Sequence, residues 1–251
     1  MSGLRGAIRS ERIKLRRTLA KGLSAIAPVT AALLSLFVLA NADALAAARH
    51  VAPWQGYMDS AFRVWASLLL PFCITLQAVL LAQIEHGNQQ WKHLLALPVP
   101  RARIYAAKLI VLVALLLLAS ALLAALVLGI AWAAGLVSVA SGTLAAAAAH
   151  AALSAATIAG AASLLLAIQL LVSMQTSSFT AAIGFGTIAT IVAVLATSTM
   201  GDLAYGFPWS MPAMVVGASA GTSRVIVCAS LAAATLVSVA GTRLLASRRI
   251  G

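Results

Sequence analysis

The amino-acid sequence predicts an all-α integral membrane protein with six transmembrane helices. Of its 251 residues, 63% are hydrophobic and only 9% are charged, whereas soluble domains carry roughly 25% charged residues. The hydrophobic residues form runs of about 20, the length that a helix needs to cross a hydrocarbon layer about 30 Å thick. The basic residues, which give a net charge of +12, lie mostly at the ends of these runs, where they meet lipid headgroups and water.

A single transmembrane domain is expected to cover residues 1–251, with spans one and two within 23–84 and spans three to six within 109–251. The third span exceeds the length needed, so we expect it to tilt or to project beyond the bilayer. A short polar turn separates spans four and five, which should form an antiparallel hairpin. Two prolines and several aromatic residues in 201–223 predict a short element that dips back toward the membrane. The spans are Leu23–Ala42, Phe62–Ile84, Leu109–Leu136, His150–Met174, Phe179–Thr199 and Arg224–Ala246.

The distribution of Lys and Arg predicts which side of the membrane each connection occupies. Seven basic residues precede the first span, four lie between the second and third, and three lie at or after the end of the sixth. Together these are 14 of the 17 in the chain, and basic residues concentrate on the cytoplasmic side. Both chain ends and the connection between spans two and three are therefore expected in the cytoplasm. The remaining three, expected outside, are Arg49, Arg63 and Arg224.

The segment before the first span has the pattern of an amphipathic helix. Its apolar residues recur at spacings of four and seven, so they share one helix face. They are Leu4, Ile8, Leu15 and Leu19. We expect residues 1–22 to lie in the membrane interface with basic side chains at lipid headgroups, the alternative being a basic tail that only sets the topology. The basic residues assigned to this interfacial helix are Arg9, Arg12, Lys14, Arg16 and Arg17.

Residues 85–108, between spans two and three, predict a second amphipathic helix. Trp91, Leu94 and Leu95 have helical spacing and form one apolar face. Pro98 and Pro100 end the helix, because proline lacks the N–H donor and disfavours helical geometry in the residue before it. Such a helix can float at the membrane interface or dock into a groove of a soluble partner, with the tryptophan as anchor. The spacing alone leaves both open.

The polar residues within and beside the spans do not form a motif that is typical of an enzyme or of a metal site. Gln77 and Gln169 can form hydrogen bonds between helices or line a substrate path. His86 and His93 lack a ligand set, so no bound metal is expected. The chain contains no phosphate-binding loop and no His-Glu-x-x-His motif, so no cofactor and no catalytic residue are expected on it. A nucleic-acid partner is not expected either, because the basic residues flank the apolar runs.

The segment at 85–108 resembles the region between spans two and three of ABC-2 type transporter permeases. There an acid is followed by Trp-Lys, a leucine pair, Pro-Val or Pro-Ile, and Arg-x-x-x-Tyr, matched here from Glu85 to Tyr105. Residues 10–18 resemble the entry segment of that family, and Phe207-Pro208-Trp209-Ser210 resembles its late extracellular motif. Within the family the chain is most similar to the short permeases of bacitracin and lantibiotic immunity transporters.

The resemblance implies a permease of an ATP-driven exporter in a bacterial inner membrane. Two permeases would pair, either identical or homologous, and two ATPase subunits would bind beneath them and hold the ATP and Mg²⁺. The substrate would be hydrophobic or peptidic, as in resistance to antimicrobial peptides. A membrane receptor or scaffold that binds a cytoplasmic partner through the same helix is the alternative. The resemblance implies that six residues of this segment couple the permease to the ATPase. They are Glu85, Asn88, Trp91, Lys92, Leu94 and Leu95.

Overall fold

A computed structural model describes residues 19–40, 52–86, 101–140 and 142–247. In these ranges the chain forms helices joined by short connections, and six helices are long and apolar enough to cross a membrane. The predicted fold class is thereby confirmed. The helices are α1 Leu19–Leu39, α2 Pro53–Val64, α3 Leu70–His86, α4 Arg101–Ala133, α5 Thr143–Ala161, α6 Ser163–Gln175, α7 Phe179–Thr199, α8 Met211–Met214 and α9 Ala220–Ser247, with a π-helical turn at Trp65–Leu69 and a 3₁₀ helix at Gly201–Gly206.

The second span begins earlier in the chain than the sequence predicts. Its helix starts at Pro53 rather than Phe62, and α2, the π-helical turn and α3 follow one another without interruption. Proline fits the first helical position because its missing N–H would have no partner there, and the Gln55 side chain accepts a hydrogen bond from the Ala52 N–H at 3.2 Å. The polar residues of 53–61, expected in an external loop, therefore belong to a helix.

The fourth span is two helices and not one. The sequence predicts a continuous helix over His150–Met174, whereas α5 begins at Thr143, ends at Ala161 and is followed by α6 from Ser163. Gly142, which precedes α5, has a φ of 71°, a conformation that side chains with a Cβ disfavour. Together α5 and α6 extend over the same number of residues as the 33-residue α4, the neighbour against which α5 packs.

The connection between spans five and six packs against the bundle. The sequence predicts this, because it indicates a short element that dips back toward the membrane. The 3₁₀ helix and α8 fill this connection, and α8 packs against α5. Trp209 is buried and meets Phe185 of α7 edge to face, with ring centroids 5.5 Å apart. Aromatic pairs of this geometry add to the burial of the rings, so the connection is anchored to the fifth span.

The spans alternate in direction and place two kinds of residues at the two ends of the bundle. The start of α1, the end of α3, the start of α4 and the turn between α6 and α7 lie at one end, called here the basic end. The start of α2, the 3₁₀ helix and α8 lie at the other, called the aromatic end. Between them α4 packs against α1 and α5, α3 packs against α6 and α7, and α9 lies across α4, α5 and α6.

Candidate functional site: the basic end of the bundle

The basic end is where the predicted coupling segment leaves and re-enters the bundle. Helix α3 ends at His86 and α4 begins at Arg101, so residues 87–100 connect two helix ends on the same side. Glu85 lies in the last turn of α3. The other residues assigned to coupling lie outside the described residues, as do the five basic residues assigned to the interfacial helix, and both assignments stay predictions.

Lys108 joins α4 to the last turns of α3. Its side chain has no exposed surface, and its Nζ donates a hydrogen bond of 2.7 Å to the Leu81 carbonyl. The sequence places this lysine just before the third span, whereas α4 begins seven residues earlier, so Lys108 lies within the helix. A buried charge needs a polar partner, and the Leu81 carbonyl supplies one.

Two further contacts connect α6 to its neighbours at the basic end. The Tyr105 hydroxyl of α4 donates to the Ala167 carbonyl of α6 at 3.4 Å. The Gln83 amide of α3 donates to the Ser177 carbonyl in the turn after α6 at 3.3 Å. With the Lys108 contact, these hydrogen bonds connect both helices that flank residues 87–100 to α6 or to the turn that follows it.

Glycine at position 241 lets the last span approach this region closely. An ideal Cβ at Gly241 of α9 would lie 3.0 Å from Leu171 Cδ1 and 3.7 Å from Tyr105 Cζ. A methyl group there would press on Leu171 of α6 and lie in ordinary contact with Tyr105 of α4. The basic end is therefore a packed junction of α3, α4, α6 and α9.

The two glutamines assigned to a substrate path lie in separate helix contacts. Gln77 of α3 donates to Ser24 Oγ at 2.8 Å and to the Ala20 carbonyl at 3.4 Å, both in α1. Gln169 of α6 donates to the Ala182 carbonyl of α7 at 3.1 Å. Both therefore make the hydrogen bonds between helices that the sequence allows.

A tight polar contact surrounds Gly186 of α7. An ideal Cβ there would lie 2.5 Å from Thr75 Cγ2 and 2.9 Å from Gln169 Oε1, so only glycine fits. Thr75 Oγ1 and Gln169 Oε1 are buried and have no hydrogen-bond partner among the residues that the structure describes. Buried polar atoms without partners cost free energy, which makes this three-helix contact a strained point of the bundle.

An apolar groove of about 410 Å³ runs between α4 and α5. It is lined by Ser120, Leu117 and five alanines. Ser120 is 2% exposed, and its hydroxyl lacks a hydrogen-bond partner within the described part of the chain. The groove thus presents methyl groups and one buried hydroxyl, a surface suited to an apolar molecule with a polar group.

The family match covers three of the four helices of this junction, α3, α4 and α6. A family model described as ABC-2 family transporter protein matches residues 7–196. The chain belongs to the ABC-2 transporter family. The resemblance drawn from the motifs is confirmed at this level, and the permease works with ABC ATPase subunits. No curated protein matches the sequence.

The permease also has a polar cluster at its aromatic end that the sequence did not predict. His150 Nε2 of α5 donates to Asp59 Oδ1 of α2 at 2.8 Å, and the His150 ring meets Trp54 edge to face at 5.7 Å. Arg63 Nη2 donates to the Val216 carbonyl at 2.9 Å. Charged residues within a span are typically paired with one another or with carbonyls, and that rule is the signal that could have found these pairs.

Proposed function

We propose that the permease moves a hydrophobic or peptidic substrate outward across a bacterial inner membrane, as in resistance to antimicrobial peptides. It pairs with a second copy or a homologous permease. Two ATPase subunits bind beneath the pair at residues 85–97, and those subunits bind the ATP and Mg²⁺. The interfacial helix of residues 1–22 holds the bundle at the lipid headgroups.

The packed junction at the basic end carries this proposal. Residues 87–100 connect α3 and α4, and the Lys108 contact to Leu81 joins these two helices. The Tyr105 contact joins α4 to α6. A partner that displaces the connecting segment would therefore move three helices together and not one loop. That is what a permease needs if ATP hydrolysis on another subunit is to change its shape.

The groove between α4 and α5 supports the substrate class. Its volume of about 410 Å³ lies in the range of roughly 300–1,000 Å³ that small-molecule sites occupy. Its alanine lining excludes strongly hydrated molecules, because their polar groups would lose water without gaining partners.

Gln169 lies outside this groove. It is the better candidate of the two glutamines for a substrate path, since its side-chain oxygen has no hydrogen-bond partner within the described structure.

Replacement of Trp91 tests the proposed ATPase contact. We expect Trp91→Ala to reduce the amount of Walker-motif ATPase that co-purifies with the permease from its native membranes by about tenfold. A central aromatic anchor of an interface contributes on the order of 2 kcal/mol. The measurement is quantitative mass spectrometry of the purified complex, normalised to the amount of permease.

Trp132 provides the matched control. It is 61% exposed and lies near the opposite end of α4, so Trp132→Ala should leave the ATPase yield unchanged. If no ATPase co-purifies with the unmodified chain, or if both variants retain it fully, the transporter proposal fails. A receptor or scaffold would then be the better account.

A further inference from the structure

We propose that the fourth span is a two-piece helix hinged at Ala162, and that the Ser230 hydroxyl of the sixth span sets the angle of the hinge. The contacts at the break alone define this hinge, whatever the transporter carries. It assigns Ser230 as a positioning residue for the motion of α6 relative to α5.

The break in the fourth span has a serine side chain inserted into it. Sharp kinks in helices arise at proline, at glycine and serine pairs, at π-helical turns or where a side chain enters the ladder of backbone hydrogen bonds. Residues 158–166 contain no proline. The Ser230 hydroxyl donates to the Ala161 carbonyl at 2.8 Å and accepts from the Leu164 N–H at 3.1 Å. One hydroxyl from α9 therefore contacts the backbone on both sides of Ala162.

Ser230 uses its full hydrogen-bonding capacity at this position. A serine hydroxyl has one donor and two acceptor sites. While it donates to Ala161, its second acceptor site receives the Ser163 hydroxyl, with the two oxygens 3.0 Å apart. Ser230 has no exposed surface, so water does not substitute for it. The hydroxyl is thus fully occupied in holding the break.

Without this hydroxyl the freed backbone groups have one good alternative. In an uninterrupted α-helix the Leu164 N–H would donate to the Gly160 carbonyl, and the Ala161 carbonyl would accept from the Leu165 N–H. Unpaired backbone groups are costly inside a membrane. Loss of the Ser230 hydroxyl should therefore favour a straighter fourth span over a bent one with unpaired groups.

A close approach fixes the position of α9 beside the break. An ideal Cβ at Gly160 would lie 2.8 Å from Val227 Cγ1. Val227 and Ser230 are three residues apart on α9, which places them on the same helix face. The end of α5 therefore sits against Val227, and the start of α6 sits against Ser230.

The two pieces of the fourth span have different neighbours. Helix α5 packs mainly against α4, α6 packs mainly against α3, and both contact α9. A displacement of α3 would carry α6 with it and leave α5 with α4, so the angle at Ala162 absorbs the difference. In the transporter, ATP hydrolysis would drive this motion through the end of α3, a step that rests on the proposed function.

A distance measurement between spin labels on the two pieces tests the hinge. Labels replace Leu153, which is exposed on α5, and Gln175, which is exposed at the end of α6. Cys73 and Cys228 are first replaced by alanine. In a straight helix two positions that are 22 residues apart lie about 33 Å from each other. The full chain is measured in lipid nanodiscs by double electron–electron resonance.

We expect Ser230→Ala to shift the distance distribution toward the straight-helix value. Ser223→Ala is the matched control, because Ser223 is also buried on α9 but bonds to the Val215 carbonyl, away from the break. The control should reproduce the parent distribution. An unchanged distribution in Ser230→Ala would overturn the proposal.

A second pair of variants keeps the test decisive if Ser230→Ala does not fold. Gly160→Ala should move the end of α5 away from Val227 and change the same distance, and Val227→Ala added to it should restore the parent value. A label-to-label distance that is the same in the parent, in Gly160→Ala and in the double variant would contradict the hinge. Adding ATP to the complex with the ATPase separates the two proposals: a hinge that responds to Ser230→Ala but not to ATP argues against the transport function alone.

Discussion

At the scale of single residues, glycines and buried polar side chains decide how closely the spans approach. The contact of Gly186 with Thr75 and Gln169 brings α7, α3 and α6 together at one point. Glycine opposite polar side chains is the usual device for close helix packing in membranes, where the hydrophobic effect does not drive helices together. The position of each small residue is therefore as important to the fold as the apolar runs.

Gly186→Ala should destabilise the permease by about 1–3 kcal/mol, because the added methyl overlaps Thr75 in a packed core. Gly184 lies two residues earlier on the same helix, and a Cβ added there would meet open space, so Gly184→Ala should be neutral or slightly stabilising. The midpoint of thermal unfolding in detergent measures both. Adding Thr75→Ala should recover part of the loss, and equal midpoints for the two glycine variants would contradict the contact.

The large polar side chains within the spans were recognisable from the sequence, but the residues that they contact were not. Gln77 and Gln169 were recognisable as large polar groups in apolar runs. Their partners in α1 and α7 depend on which helix faces meet, and periodicity does not encode that. The role of Ser230 was not predictable, because serine is common in membrane spans. Its role is recognised only from the structure, which places its hydroxyl beside the break at Ala162.

At the scale of secondary-structure elements, the apolar runs predicted where helices cross but not where they begin or break. The second span was predicted too short because the polar and aromatic residues around Asp59 are typical of an interfacial loop, although Asp59 contacts His150 of α5. The fourth span was predicted as one helix because Gly160 and Ala161 carry no strong signal of a break. The bonds that end α5 come from Ser230, 69 residues later in the chain.

Lys108→Met tests the connection between α3 and α4 at the basic end. Methionine preserves most of the volume and removes the hydrogen bond to the Leu81 carbonyl, so we expect a loss of about 1–3 kcal/mol. Lys21→Met is the matched control, since Lys21 is exposed at the same end. Chemical denaturation in mixed micelles gives the difference, and equal stability of the two variants would show that the buried bond contributes nothing.

At the scale of the whole molecule, the order of the spans was predictable and their packing was not. Six apolar runs fix an even number of crossings, and the Lys and Arg counts predict that residues 85–108 face the cytoplasm. The arrangement in which α9 contacts α4, α5 and α6 depends on side-chain shape over the full length of those helices. A single sequence contains no direct record of it.

Single cysteines test the predicted orientation in a chain with Cys73 and Cys228 replaced by alanine. A membrane-impermeant maleimide should label Asp202→Cys in intact cells, because Asp202 is exposed at the aromatic end. Lys92→Cys should react only after the membrane is permeabilised. Labelling of Lys92→Cys in intact cells would reverse the topology and remove the physical basis for an ATPase contact there.

The length of the central spans has a consequence for the lipid surroundings. Helix α4 has 33 residues and extends about 50 Å, well beyond a hydrocarbon layer of about 30 Å. Such a helix must tilt or emerge, at an energetic cost that changes with bilayer thickness. Its neighbour, the fourth span, can also change its projected length by bending at Ala162. A change in bilayer thickness should therefore change the angle between α5 and α6 that the Ser230 contacts stabilise. The conformation of the permease should then depend on the chain length of the surrounding lipids.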